Sequence, residues 1–182
     1  MASDLNKKAK KPVLFILGLI IIGGILGMVT SLGIAEAVHQ TSDDRFCTMC
    51  HTMQPMADSY AKDVHGGNNS KGVKATCVAC HLPHDNIAKY LFQKVSISAH
   101  DVRVQLFGDL EAIDWEAKRK HAKHFVFDSG CMSCHTNLRE ATMGTPKSLI
   151  AHREYFEKRT TKTCVECHNN VGHHILGDYL KK

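Results

Sequence analysis

All eight cysteines of this 182-residue chain fall into four Cys-x-x-Cys-His motifs, which constrains the fold more than any other feature. The motifs are Cys47-Thr-Met-Cys50-His51, Cys77-Val-Ala-Cys80-His81, Cys131-Met-Ser-Cys134-His135 and Cys164-Val-Glu-Cys167-His168. In such a motif the two thiols form thioethers with the vinyl groups of a haem, and the adjacent histidine binds the iron. Two zinc sites with four cysteine ligands each would use the paired cysteines but leave the histidine after every pair unexplained. A thioredoxin-like motif would want one Cys-x-x-Cys on a βαβ unit, and no such pattern is visible. No cysteine remains for a disulfide framework or a free thiol. The chain therefore reads as a c-type cytochrome with four covalently attached haem c groups.

The N-terminus has a different character. Lys7, Lys8, Lys10 and Lys11 precede an uncharged run of 22 residues, Val13 to Ile34. That length crosses a hydrocarbon core as a helix, and lysines on its N-terminal side place that end in the cytoplasm. A cleaved signal peptide would also have a basic start, and Ala35-Glu36-Ala37 resembles a cleavage site. Signal h-regions are about 7–15 residues long, however, and this run is longer. The expected organisation is a cytoplasmic tail (1–12), an inner-membrane anchor helix (13–34) and a periplasmic haem domain (35–182). Gly23 and Gly27 form a GxxxG that would let two anchors pack closely, which leaves a homo-oligomer open.

The formal net charge of +5 carries little functional meaning. Residues 1–12 hold four Lys and one Asp, contributing +3 and leaving +2 for the rest. Eight haem propionates would bring the loaded domain to neutral or acidic, so nothing points to nucleic acid.

The residues beyond the anchor are too few to build a conventional core around four large cofactors. The haems must form much of the interior, giving a mainly α fold with extensive loops, arranged as two dihaem units on a single N-terminal transmembrane helix. The longest helix is expected over Ile87–Phe107, where Leu91, Val95, Val102 and Leu106 recur at helical spacings. A second is expected over Ala112–Phe127. Gly66 to Gly72 reads as a loop, and Asp128-Ser-Gly130 and Gly144-Thr-Pro146 as further breaks.

The motifs also form a repeat. The first cysteines of motifs one and two are 30 residues apart, those of motifs three and four 33 apart. Within each pair a histidine stands twelve residues before the second motif: His65 before Cys77, His152 before Cys164. These two are the strongest candidates for sixth ligands, since two imidazoles make a low-spin iron suited to electron transfer. His173 follows His168 too closely to bind the same iron but can reach a neighbouring haem, with His174 as its local rival. Three such histidines serve four haems, so one iron lacks a conventional sixth ligand and is where substrate chemistry would occur.

This layout resembles the NapC/NrfH family of membrane-anchored tetrahaem quinol dehydrogenases. The match runs from the basic N-terminus through all four motifs to Gly172-His173. It is carried by Cys47-Thr-Met-Cys50-His51-Thr-Met53, His65, Gly72-Val-Lys-Ala-Thr-Cys77, Cys80-His81-Leu-Pro-His84, the Lys94 to Asp101 segment, Trp115 and Cys164-Val-Glu-Cys167-His168. The resemblance implies oxidation of menaquinol or a related quinol and electron delivery to a periplasmic multihaem or molybdenum reductase, such as a nitrite or nitrate reductase. It implies a quinol site by the first haem, with Met53 as axial ligand, Asp101 on the distal side and Lys94 lining the pocket; His51 stays a candidate for the same iron. His65, His152 and His173 carry over as distal ligands, with motif ligands His51, His81, His135 and His168. Quinol oxidation releases two protons with two electrons, so a carboxylate that takes a proton and a lysine that holds the quinol oxygen are coherent roles. The Gly66–Gly72 loop, the stretch between motifs two and three, and His152 lie nearer the nitrate-linked branch. A redox relay that receives electrons from another protein, without its own quinol site, is the alternative.

Overall fold

A computed structural model describes residues 2–173 and 175–180. His174 lies outside the described residues. The chain divides into two compact units between Thr41 and Ser42.

The first unit is one helix, α1 (Ala2–Gln40). It continues the apolar run by a turn or more at each end, and its stretch Pro12–Gln40 has a mean hydropathy of 2.7 in its most apolar window. Leu14, Phe15, Ile20, Ile22, Leu26 and Val29 are all more than half exposed. A helix of this length that is apolar all round is long enough to cross a hydrocarbon core.

The second unit consists of short helices joined by loops: α2 (Asp44–Cys47), α3 (Gln54–Tyr60), α4 (Cys77–His81), α5 (Ile87–Phe107), α6 (Trp115–Arg119), α7 (Asp128–Cys134), α8 (Leu138–Ala141), α9 (Pro146–Phe156), α10 (Cys164–Cys167) and α11 (Leu176–Leu180). No strand occurs among the described residues, only an isolated bridge between Gly66 and Lys74. The fold is mainly helical, as the motif count and chain length predict.

Local chemistry explains most of these boundaries. The α5 helix begins where Asn86 accepts hydrogen bonds from the Ala88 and Lys89 amides and ends at Gly108, spanning the predicted 87–107. Gly67 and Gly72 take positive φ values of 99° and 64° in the predicted loop, a region open to glycine at little cost. Tyr60 closes that loop, its hydroxyl lying 2.8 and 2.7 Å from the His65 and Ala75 carbonyl oxygens. The segment expected to be helical over 112–127 is broken up instead. Asp114 caps α6 through the Ala117 amide, and the chain then tightens to a 3-10 turn at Ala122–His124. The Phe127 amide donates to the Cys80 carbonyl at 3.0 Å, so a tertiary bond to motif two wins over the helical propensity of this stretch.

The motif helices pack on one another. The α2 helix meets α4, α4 meets α7, and α7 meets α10, while α11 packs on α3. The α4–α7 approach requires Gly130, where a Cβ would collide with the Ala79 carbonyl oxygen. Buried apolar side chains among the described residues are only Leu82, Pro83, Val165 and Leu176. So few cannot bury the apolar surface that a chain of this size needs, and large apolar groups held between the motifs suit that interior.

Candidate functional site

Motifs two, three and four each lie on a helical turn, which sets two cysteines three residues apart on one side of the backbone. Motif one differs. Its helix stops at Cys47, Cys50 is extended (φ −80°, ψ 123°), and His51 opens a 3-10 turn that ends at Met53. His51 is exposed and Met53 half-buried.

The motifs meet in pairs. The thiols of Cys47 and Cys77 lie close enough to perturb each other's ionisation, and so do those of Cys131 and Cys164. A shared device holds each pair. The Asp44 Oδ1 accepts the Cys77 amide at 2.8 Å, and the Asp128 Oδ1 accepts the Cys164 amide at 2.9 Å. Each carboxylate thus satisfies the first backbone N–H of the partner motif's helix. Its second oxygen is also bonded: Asp44 to Lys74 Nζ at 2.6 Å, Asp128 to the Tyr155 hydroxyl at 2.8 Å. Sequence reasoning missed both residues. Their signal is an aspartate three positions before the first cysteine, in Asp44-Arg-Phe-Cys47 and Asp128-Ser-Gly-Cys131.

Three motif histidines have a second histidine ring beside them. The centroids are 6.5 Å apart for His81 and His173, 6.2 Å for His65 and His135, and 6.1 Å for His152 and His168. Metal–imidazole bonds of about 2 Å on opposite sides of one iron put ring centroids about 6 Å apart, so the spacing fits a haem iron between each pair. His121 and His124 have a similar separation of 6.3 Å, but they are three residues apart beside one 3-10 turn and neither belongs to a motif.

The ring nitrogens sharpen that fit. His81 Nδ1–H donates to the Phe125 carbonyl at 2.9 Å, and His152 Nδ1–H to the Ser148 carbonyl at 2.8 Å. His65 Nδ1 meets Asp63 Oδ1 at 3.1 Å. The Ser59 hydroxyl donates to the Met56 carbonyl, so it accepts from His173 Nδ1–H at 3.1 Å. In all four rings Nδ1 is engaged and Nε2 is left to a metal, the usual outer-sphere arrangement of a ligating histidine. His84 has the opposite pattern, with Nε2 on the Val78 carbonyl at 3.1 Å. Burial lowers the pKa of His81, and it takes His173 down to about 4, helped by the nearby His81. Both therefore stay neutral at physiological pH and keep a lone pair for iron.

Asp63, 5% exposed, ties two of these pairs together. Its Oδ1 accepts both the amide and Nδ1 of His65, and its Oδ2 accepts the Gly172 amide next to His173 at 3.1 Å. Burial raises its pKa, but the hydrogen bonds from His65 and Gly172 outweigh this and hold it below the usual carboxylate range.

His51 has no such partner ring among the described residues. Motif one instead meets α5. Thr52 donates to Gln105 Oε1 at 3.1 Å, and the charges of Lys94 and Asp101 both act on Cys47. Lys94 Nζ donates to Ser42 Oγ at 3.0 Å, and Ser42 Oγ is 3.0 Å from the Tyr90 hydroxyl. Partial burial lowers the pKa of the Lys94 ammonium, against the opposing charge of Cys47. Asp101 stays accessible to solvent, but the atoms crowding its carboxyl desolvate it and raise its pKa, an effect that His100 partly opposes.

Helical turns that pair their cysteines, with opposed and neutral histidines between them, define a multihaem c-type cytochrome. The chain belongs to the NapC/NirT cytochrome c family, whose N-terminal region matches residues 9–177. It is similar to the tetraheme c-type cytochrome CymA of Shewanella oneidensis, 31% identical across 87% of this chain and 90% of that one. The denitrification system component NirT of Stutzerimonas stutzeri is 28% identical across 94% and 93%. Among solved structures, the cytochrome c nitrite reductase NrfHA complex bound to the HQNO inhibitor contains a similar chain. The TM-score is 0.51 and the identity 28%, over 85% of this chain and 90% of that one.

Proposed function

We propose that this chain carries four haem c groups, oxidises menaquinol or a related membrane quinol, and passes the electrons to a periplasmic reductase. The carrying observation is that α5, the helix bearing Lys94 and Asp101, meets motif one through the Thr52–Gln105 hydrogen bond, at the motif whose histidine has no opposed ring among the described residues. Residues 1–12 form the cytoplasmic tail, 13–34 the anchor and 35–182 the periplasmic domain in this reading.

Bound haem supplies one-electron carriers; the chain supplies binding and proton handling. His81 with His173, His135 with His65, and His168 with His152 would hold three haem irons and close them against small ligands, which suits conduction. The His51–Met53 turn would supply a ligand to the first haem, and Met53 is the more buried of the two candidates. Lys94, steadied by Ser42, holds the quinol oxygen. Asp101 accepts a proton, and its raised pKa makes it a stronger base than an ordinary exposed aspartate. Seven residues apart on α5, the two side chains share a helix face.

Stopped-flow reduction of the detergent-solubilised protein by a menaquinol analogue, with and without HQNO, tests the proposal. Fast, HQNO-sensitive haem reduction supports it. Haems that dithionite reduces but the quinol does not would overturn it in favour of a relay fed by another protein.

A further inference from the structure

Positive charge is gathered around motif four. Two segments flank it: residues 118–124 hold Lys118, Arg119, Lys120 and Lys123, and residues 158–162 hold Lys158, Arg159 and Lys162, with no acidic residue in either. Residues 13–182 sum to +2, since the first twelve residues carry +3 of the chain's +5; with +7 in these two segments, the remainder is −5. The cations differ in what they meet. Arg159 is held by Glu154 and Glu157, Arg119 by Glu116, and Lys123 by Glu166. Lys158 and Lys162 line a cavity of about 430 Å³ with Asp128 and Tyr155, and cations on a cavity wall beside a haem motif suit that group's propionates. Lys118 and Lys120 are exposed, line neither this cavity nor the one of about 400 Å³ beside Thr52, and have no ion-pair partner among the described residues.

The surroundings of these lysines select what they meet. No large apolar side chain is exposed over residues 108–142 or 151–170. A membrane-surface element needs an apolar face to insert, and a lasting protein interface needs an apolar centre. A brief redox encounter needs neither: its interface is small, and complementary charge brings the partners together. The segment also touches the haem-bearing turns. The Ala122–His124 turn packs on α10, and Lys123 Nζ lies 3.1 Å from Oε1 of Glu166, which stands between Cys164 and Cys167. The Phe125 ring stacks on His81 of motif two, centroids 5.9 Å apart. A partner drawn to Lys118 and Lys120 is therefore brought to a haem motif.

We infer that Lys118 and Lys120 are the landing point for the acidic face of a redox protein, which takes electrons singly from the motif-four haem. Each transfer oxidises a ferrous haem iron to ferric and reduces the acceptor's centre by one electron, with no bond made or broken. This rests on the reading that the chain passes electrons to another protein, but not on quinol oxidation.

Stopped-flow oxidation of the haem-loaded full-length chain tests the inference. The protein, in phosphatidylcholine nanodiscs and reduced by stoichiometric dithionite, is mixed with mitochondrial cytochrome c, either native and basic or with its lysines succinylated to make it acidic. Lys118→Glu with Lys120→Glu is compared with Lys71→Glu with Lys147→Glu, two other exposed lysines that change the net charge equally; haem absorbance per chain confirms intact protein. With the acidic acceptor at low salt, the first pair should slow oxidation about tenfold and the second no more than about twofold. The difference should fade as salt rises. Equal slowing by both pairs would reduce the effect to net charge and overturn the landing point. A parent that reacts faster with the basic acceptor would overturn its sign. A difference that disappears in phosphatidylglycerol nanodiscs would assign the lysines to lipid and overturn it too. Haems that a menaquinol analogue fails to reduce in the same preparation would remove the quinol reading and leave this result standing.

Discussion

The two halves of the haem domain share a scaffold but not a way of delivering ligands. In both, an aspartate three residues before one motif caps the helix of the next, and the leading cysteines of the paired motifs lie close enough to perturb each other's ionisation. In both, a histidine stands twelve residues before the second motif. Yet His152 turns to His168 of the motif it precedes, whereas His65 turns away from its own pair to His135 in the other half. His173, from the C-terminal end, returns to His81. Two histidines thus cross between the halves, and the buried carboxylate of Asp63 holds both crossing segments. Repetition supplies the turns that hold cofactors. The departure from repetition stitches the halves together and leaves motif one facing α5, with no opposed histidine ring among the described residues.

The largest effect is expected where the halves differ most. Asp101→Asn should slow quinol-driven haem reduction by about a hundredfold, the scale of losing a general base, while dithionite reduces every haem as before. The pH profile carries the sign. Asp101 must be ionised to accept a proton, so the rate rises with pH, and its raised pKa puts the acid limb above the ordinary aspartate value of about 4. A rate insensitive to Asp101→Asn would leave motif one no more reactive than the other three.

Next comes the crossing of ligands. His65→Ala and His152→Ala should each convert one low-spin haem to high-spin, counted by electron paramagnetic resonance. The two variants should affect different haems, of motifs three and four respectively. Loss of the motif-two signal in His65→Ala would restore a simple repeat and break the comparison.

Asp63 tunes rather than builds. In Asp63→Asn a charge-assisted bond to His65 becomes a neutral one, a loss of about 1 kcal/mol, equivalent to about 40 mV in a one-electron potential. The imidazole donates less to its iron, so the potential of the His65 haem should rise in redox titration. The His152 haem, whose ring leans on the Ser148 carbonyl, should not move. Equal shifts in both would point to a general loosening.

What could be read in the sequence was local. Four motifs fix the attachment chemistry because each is complete within five residues. Helix α5 was legible to the residue because Asn86 and Gly108 punctuate a continuous pattern. The rest depends on contacts between distant segments. The Phe127 bond to the Cys80 carbonyl dissolved the helix expected over 112–127. The repeat singled out His65 and His152 alike, but which motif each faces is decided by packing through Asp63 and Gly130. Asp44 and Asp128 looked like ordinary polar residues because their partners lie 33 and 36 positions away.

Those two aspartates give the smallest and most direct comparison of the halves. Removing a side-chain cap costs about 0.5–2 kcal/mol, so Asp44→Ala and Asp128→Ala should each lower the melting temperature of the haem-loaded protein without changing its haem content. They should not be equal. Asp44 also loses Lys74, whose side chain is 49% exposed, and such a pair contributes little. Asp128 loses the Tyr155 hydroxyl, a bond in a part-buried setting that leaves an unsatisfied donor behind. Asp128→Ala should therefore be the more destabilising. Acid adds an independent check. Burial raises the Asp44 pKa, but Lys74 and the Cys77 amide outweigh this and hold it below the usual range. Its contribution is then fully present above the unfolded value of about 4 and lost as pH falls through the folded one. Stability of the parent should fall over that window more steeply than stability of Asp44→Ala; parallel curves would mean that the cap in the first half contributes nothing.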